Sequence, residues 1–475
     1  MALTFMPGFE GVRWYLGQYR AYVEFYKARR TVPAYREFLK QQGFQRVPFK
    51  GVLPDLSTIP VIDKDSYVKA FGVEQCCVRG KLPTTGMMVD ESSGSTGLPT
   101  NWPRGRRERT KNRRMLQFSI RRTIGSDPFF AINAFALGPW ATGMNVTMAL
   151  ADIAIVKSTG PDVEKIINTM KVFGPRYKYV IFGYPPFFKT LVDRGEIDWD
   201  TYYVHMLVGG EAITETLRDY LMAKGAKGVT SGIGATDLEL SIAAETVFTI
   251  ELRKKIIANP SLAERLVKHS GPPPMIFQYN PLDFLVEETE EGELLFSICR
   301  PGYLSPKIRY NLHDTGHILR FPEISRILKE EGIEMESLKG GYVPPLPILF
   351  HYGRSNSTIS YFGANLAPAD VHETLCRVES LAEKFNTFMI KHYEDEEANK
   401  KLIFDVELHD QVDPSEFEEE RLNNEFLSTL AGINHELGNS LSMMPEVSIP
   451  QLQLYRKGEG PFRENQGRIK QKYIA

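Results

Sequence analysis

The sequence predicts an α/β architecture: a large N-terminal domain of layered sheets and helices, followed by a small α+β C-terminal domain. Three observations predict it. From Thr85 to Phe350, short apolar runs alternate with helical patterns, as in strands layered with helices. Within that span, Met275 to Leu319 turns to strands and hairpins. Finally, Gly340 to Pro347 is rich in Gly and Pro, and the composition beyond it becomes more charged, as at a domain boundary. The 475 residues suit two or three domains at about 150 residues each.

The elements follow in order. Trp14 to Arg30 reads as a long amphipathic helix, and Ala34 to Gln42 as another, closed by Gly43. Asp63 or Asp65 can cap a helix running through Lys69. Ala131 to Leu137, Ala151 to Val156, Tyr179 to Phe182 and His205 to Val208 read as strands, with helices over Asp162 to Phe173 and Thr214 to Lys224. Phe284 to Glu288 and Glu293 to Ile298 flank Glu291-Gly292, a good hairpin tip. In the last part, Ala367 to Ala382 reads as a helix, Lys401 to Leu408 as a strand and Pro414 to Leu437 as a helix with an acidic solvated face.

Composition excludes several classes. With 42% hydrophobic and 24% charged residues the chain is far from disordered composition. Lys plus Arg (57) nearly balances Asp plus Glu (59), so no global field draws nucleic acid or an anionic membrane. The N-terminal stretch lacks a basic segment followed by an apolar run, so no signal peptide is expected. The apolar run Phe129 to Ala141 falls short of the ~20 residues that span a bilayer. Four cysteines, two of them adjacent at Cys76 and Cys77, form no disulfide framework, and a reducing cytoplasmic setting fits. His205, His313, His317 and His351 have no zinc-ligand spacing, so no zinc is expected.

The most informative stretch is Ser92-Ser93-Gly94-Ser95-Thr96-Gly97-Leu98-Pro99-Thr100. Glycines let backbone approach an anion closely, and the neighbouring hydroxyls donate to it. A flexible Ser/Gly linker is the plain alternative, countered by the surrounding apolar strands and by Pro99. The lysine of GxxxxGK[ST] loops is absent.

The stretch resembles the phosphate loop of the adenylate-forming superfamily, in its phenylacetate–CoA ligase-like branch, which often carries Thr where this chain has Thr100. VPAYREFLKQQGF followed by DLSTIPVIDKDSY is similar to that branch's opening. Further landmarks come in order. GGEAIT, with Gly209, Gly210 and Glu211, looks like the segment along adenine. Gly232 to Asp237 sits where the family has its Thr-acid motif, and YNLHDTG, Tyr310 to Gly316, is similar to the segment whose aspartate grips ribose. Gly353-Arg354-Ser355-Asn356 and Gly363 to Pro368 resemble the hinge and the start of the C-terminal domain.

The resemblance implies an adenylation domain over 1–353 and a mobile lid over 354–475. It implies activation of a carboxylic acid by ATP to an acyl-adenylate with release of pyrophosphate, then transfer to CoA. Transfer to an amine, a carrier-protein thiol or a protein is the alternative, and a degenerate nucleotide-binding relative is the second. Ser93, Gly94, Ser95, Thr96, Gly97 and Thr100 would hold the departing pyrophosphate, and Thr236 the α-phosphate. Asp237, here in place of the usual Glu, would hold Mg²⁺, a hard cation that prefers oxygen ligands, with Glu239 and Glu245 as alternatives. Asp314 would accept the ribose hydroxyls, and Arg354 would face ribose or phosphate.

Two departures stand out. The hinge position, commonly Asp, is Asn356. The C-terminal lysine after a glycine is replaced by Arg468, with Lys470 or Lys472 able to take the role after a register slip. Phe135, Gly138 and Trp140, with Tyr184 and Pro185, fall where the family lines its acyl pocket and would suit a flat or apolar acid. No cation is evident there to pair a second carboxylate.

From Trp102 to Arg122 there are nine Arg or Lys against one acid, Glu108. A solvated helix face explains this run. A docking surface for the CoA 3′-phosphate or an acidic carrier protein is the sharper alternative. The aromatic interleaving of single-strand nucleic-acid platforms is missing. A homodimer is left open.

Overall fold

The computed structural model describes residues 6–92, 99–268, 273–338, 343–354 and 358–465. They form two compact units, one drawn from Met1–Ser92, Thr100–Ser158 and Thr230–Ser355, the other containing Thr159–Val229 and Asn356–Ala475. The segment expected as a lid therefore shares its unit with residues 159–229.

In the first unit, an antiparallel run of strands orders as Phe284–Glu288, Glu293–Ile298, Tyr310–Leu319, Ile348–Arg354, Met275–Gln278 and the short Ala243–Ala244, which pairs with the end of Gly228–Ile233. Glu291-Gly292 forms the first hairpin's tip, with Gly292 at φ 80°. Helices Val247–Ala258, Pro260–Leu266 and Phe321–Glu330 bury Phe248, Leu252, Leu262 and Ile324 against Ile276, Ile348 and Phe350. A second hairpin, Met88–Ser92 with Thr100–Arg104, sets Ser92 opposite Thr100 and so flanks the glycine-rich loop. The basic helix Arg106–Ile124 follows it, capped at Gly125 with φ 87°. The parallel strands Phe130–Asn133 and Ile155–Ser158 are joined through helix Ala141–Leu150.

In the second unit, the parallel strands Lys178–Gly183 and Tyr203–Val208 alternate with helices Val163–Phe173, Pro185–Asp193 and Glu215–Ala223. Asp162 and Thr214 cap the first and last of these through the N–H groups of Lys165 and Leu217. The C-terminal sheet pairs Phe385–Glu394 antiparallel with Lys400–Leu408, which runs parallel to Gln451–Tyr455. Its apolar face (Leu402, Phe404, Val406, Leu408) packs on helices Pro368–Arg377 and Glu419–Ile433 through Val371, Leu375, Phe426 and Leu430.

Two expected elements end early and a third is broken into pieces. The strand expected over Ala131 to Leu137 stops at Asn133, whose side chain donates to the Gly143 carbonyl at 2.6 Å and accepts from the Phe135 N–H at 3.2 Å. An Asn competing for backbone groups in this way ends the ladder. The helix expected to Ala382 stops at Arg377. The single helix expected over Pro414 to Leu437 is a short 3-10 turn, then Glu419–Ile433, then His435–Leu441, broken where Asn434 takes an extended backbone and caps the next turn through the Leu437 N–H. Among the described residues, no helix is long and apolar enough to cross a membrane.

Candidate active site

The chemistry-bearing residues of the first unit gather around the turn after strand Gly228–Ile233. That turn is closed by the Ala235 N–H on the Glu239 carbonyl and the Leu238 N–H on the Ala235 carbonyl. Asp237 therefore lies in a turn, not at a helix N-cap. Its Oδ2 accepts a hydrogen bond from Tyr310 Oη at 2.7 Å, which leaves Oδ1 for a hard cation. Glu239 does not fit that role. It is buried, with one oxygen 2.9 Å from Arg300 Nη2 and the other taken by the Tyr303 hydroxyl. Glu245 is also buried and accepts the Ser231 N–H at 2.7 Å. Among the three acids near the motif, only Asp237 is half-exposed. No group of three or more His, Cys, Asp or Glu among the described residues could hold a metal ion by itself.

Tyr310 and Asp314 belong to the same strand, and Asp314 stands opposite Arg354 in the register. The Asp314 carboxylate is buried, with Oδ1 3.6 Å from Arg354 Nε and Oδ2 3.2 Å from His351 Nε2. Burial pushes its pKa up, but His351 and Arg354 outweigh burial and hold it below the usual carboxylate range. Two residues on, Gly316 is required by close approach, since a Cβ there would meet the Phe350 carbonyl oxygen at 2.4 Å.

The loop-bearing hairpin is tied to this turn through Arg104. Its Nη2 donates to the Thr236 carbonyl, and its Nε lies 3.4 Å from Asp90 Oδ2. Asp90 also accepts from Asn145 Nδ2 at 3.2 Å, which connects the hairpin to helix Ala141–Leu150. Trp102 Nε1 donates to Ser92 Oγ at 2.8 Å, and Thr100 is buried at the start of its strand. Glu108, expected on a solvated helix face, is instead buried and accepts the Leu304 N–H at 2.7 Å. Burial pushes its carboxyl up to about 7. Lys307 is buried against the rings of Trp102 and Tyr310, at 5.2 and 5.7 Å, and burial lowers its ammonium to about 8.

A cleft of about 280 Å³, including its open mouth, lies in the same unit. Asp90, Arg104, Glu108, Arg109, Asn112, Asn145, Thr236 and Glu239 line it, together with Ala141, Ala235 and Leu240. Ala141 directly follows Trp140, the N-cap residue of its helix, and the Glu91 N–H donates to the Pro139 carbonyl nearby. Phe135 is buried, and Gly138 takes φ 96° with open space at its Cβ position.

The second unit holds the remaining candidates. The Gly209 N–H donates to the Gly183 carbonyl at 3.2 Å. Tyr184 packs against Gly210 and Gly363, both at positive φ, where an added Cβ would meet its ring at 2.8 and 2.3 Å. Pro185 opens the helix that follows. Glu211 is buried in an ion pair with Lys400 and accepts backbone N–H groups of Phe362 and Gly363. Thr214 Oγ1 donates to Glu394 at 2.7 Å. Ser93, Gly94, Ser95, Thr96, Gly97, Asn356, Arg468, Lys470 and Lys472 lie outside the described residues.

Sequence reasoning missed Arg104, Asp90, Asn145 and Lys307. Asn145 carries no charge to mark it, and a basic run such as the one holding Arg104 reads the same whether its members are buried or solvated.

No family model matches the sequence, and no curated protein is similar to it. Solved structures are similar in fold. A structure of 2-hydroxyisobutyryl-CoA ligase with 2-HIB-AMP and CoA, in the thioesterification state, matches with a TM-score of 0.67 at 14% identity, over 100% of this chain and 91% of that one. An open conformation of that ligase with the same ligands matches at TM-score 0.53 and 13% identity, over 100% and 93% of the two chains. Its postadenylation state matches at 0.53 and 14%, over 100% and 91%. The chain shares the fold of these ligase structures.

Proposed function

We propose that the chain is an AMP-forming carboxylate ligase that activates a small carboxylic acid with ATP and passes the acyl group to CoA. The observation that carries this reading is the convergence, in one unit, of the Thr236–Asp237 turn with Tyr310, Asp314 and Arg354, while the fold matches such a ligase from end to end. Asp314, kept ionised, accepts the ribose hydroxyls, and Arg354 beside it orients the nucleotide. Thr236 faces the α-phosphate on a backbone held by Arg104. Asp237 is the acid that would hold Mg²⁺, which supplies charge neutralisation across the phosphates. The reaction needs little covalent help from the protein, so its rate comes from holding two anions together in a preorganised field.

In this proposal residues 354–475 act as the lid that excludes water from the adenylate. Ser93 to Gly97 and Thr100 cradle pyrophosphate, Gly209 to Glu211 follow the adenine, and Arg468 or Lys470 supplies the C-terminal cation. Formation of AMP and pyrophosphate that requires acid and ATP, and becomes catalytic only with CoA, tests the reading. Turnover with an amine in place of CoA would move the acceptor to the amide-forming class. Absence of AMP under every condition would overturn the proposal.

A further inference from the structure

Resting on that reading, we infer that the acid this chain activates is a short hydroxy acid, its hydroxyl read by Arg109 and Asn112 from the basic helix. On that reading an acid attacking the α-phosphate at Thr236 enters the cleft beside it, and eight of the eleven residues lining this cleft are polar or charged. An apolar group placed there would leave Arg109 Nε and Asn112 Oδ1 without water or partner, at a cost of about 1–3 kcal/mol for each.

The charges in the wall are already engaged. Arg104 is shared between Asp90 and the Thr236 carbonyl, Glu239 between Arg300 and Tyr303, and Glu108 accepts the Leu304 N–H. An added carboxylate would face Asp90, Glu108 and Glu239, and an added ammonium would face Arg104 and Arg109. A neutral substituent is favoured over either. Two lining residues, one turn apart on helix Arg106–Ile124, carry buried polar atoms with no hydrogen-bond partner among the described residues: Arg109 Nε, a donor, and Asn112 Oδ1, an acceptor. A hydroxyl is the smallest group that accepts from one and donates to the other. The enclosed room of the cleft, about 10 Å³, is that of one water-sized group, which suits a hydroxyl and leaves no space for a fatty or multi-ring chain.

The test compares acids that differ by hydroxyl against methyl, in ATP–pyrophosphate exchange with the full chain: 2-hydroxybutyrate with 2-methylbutyrate, 3-hydroxybutyrate with 3-methylbutyrate, and 4-hydroxybutyrate with pentanoate. A site built to bond a hydroxyl rejects the analogue lacking it far more strongly than an apolar pocket rejects a methylene. At least one hydroxy acid is expected to exceed its partner in kcat/KM by more than about a hundredfold. Asn112→Leu should cut that ratio at least tenfold while leaving the KM for ATP unchanged, and Arg109→Met should do the same if Asn112→Leu fails to fold. Equal or greater exchange with the methyl partners, or a ratio unchanged in both variants, would overturn the inference while leaving adenylation standing. No exchange with any acid, including aryl and fatty acids, would overturn the adenylation reading and this inference with it.

Discussion

At Asp314, burial and ion pairing pull in opposite directions, and the pairing prevails. A carboxylate so held is ready to accept two hydroxyls at once. Asp314→Asn removes the charge that strengthens those bonds, worth about 1.5–3 kcal/mol each. The KM for ATP should rise at least tenfold, with a smaller change in kcat, as steady-state kinetics would show. Glu108 behaves in the opposite sense. Its folded-state pKa of about 7 lies above the ordinary 4.5, so the folded protein binds a proton that the unfolded chain releases. Stability from this group is complete below about pH 4.5 and is lost as pH rises to about 7. Glu108→Gln keeps an acceptor for the Leu304 N–H and removes the titration. The variant should match the wild type in thermal unfolding near pH 5 and be more stable by about 1–3 kcal/mol at pH 8. Equal stability at both pH values would contradict that account.

Among the elements, the sequence is most informative where structure is local. Glu291-Gly292 at a hairpin tip, Asp162 and Thr214 at helix starts, and the apolar strands of residues 178–183 and 203–208 could all be read from neighbouring residues. The strand end at Asn133 and the break at Asn434 were not legible, because each depends on a side chain finding a particular backbone partner. Asp314 could be singled out by motif, but its pairing with Arg354 depends on the register of two strands far apart in sequence. Glu211 and Lys400 are a further case. They are 189 residues apart and buried, joining the segment after strand Tyr203–Val208 to the C-terminal sheet. Removing Lys400 alone leaves a buried carboxylate uncompensated, so Lys400→Met should destabilise by about 3–5 kcal/mol. The double variant Lys400→Met, Glu211→Leu should recover most of that loss in chemical denaturation.

For the whole molecule, the fold was legible although identity to the similar ligase structures is only 13–14%. Legible in the sequence was the order of short motifs: the glycine-rich loop, the Thr236–Asp237 turn and the strand bearing Asp314. The polar wall of Asp90, Arg104, Glu108 and Asn145 was not legible, because buried charged and amide side chains read in sequence like surface ones. ATP–pyrophosphate exchange in the absence of CoA isolates the proposed adenylation from every choice of acceptor. Label from pyrophosphate should enter ATP only when an acid is present, and the Asp314→Asn variant should need at least tenfold more ATP to reach the same rate. Exchange without any acid, or none with any acid despite bound ATP, would contradict the account.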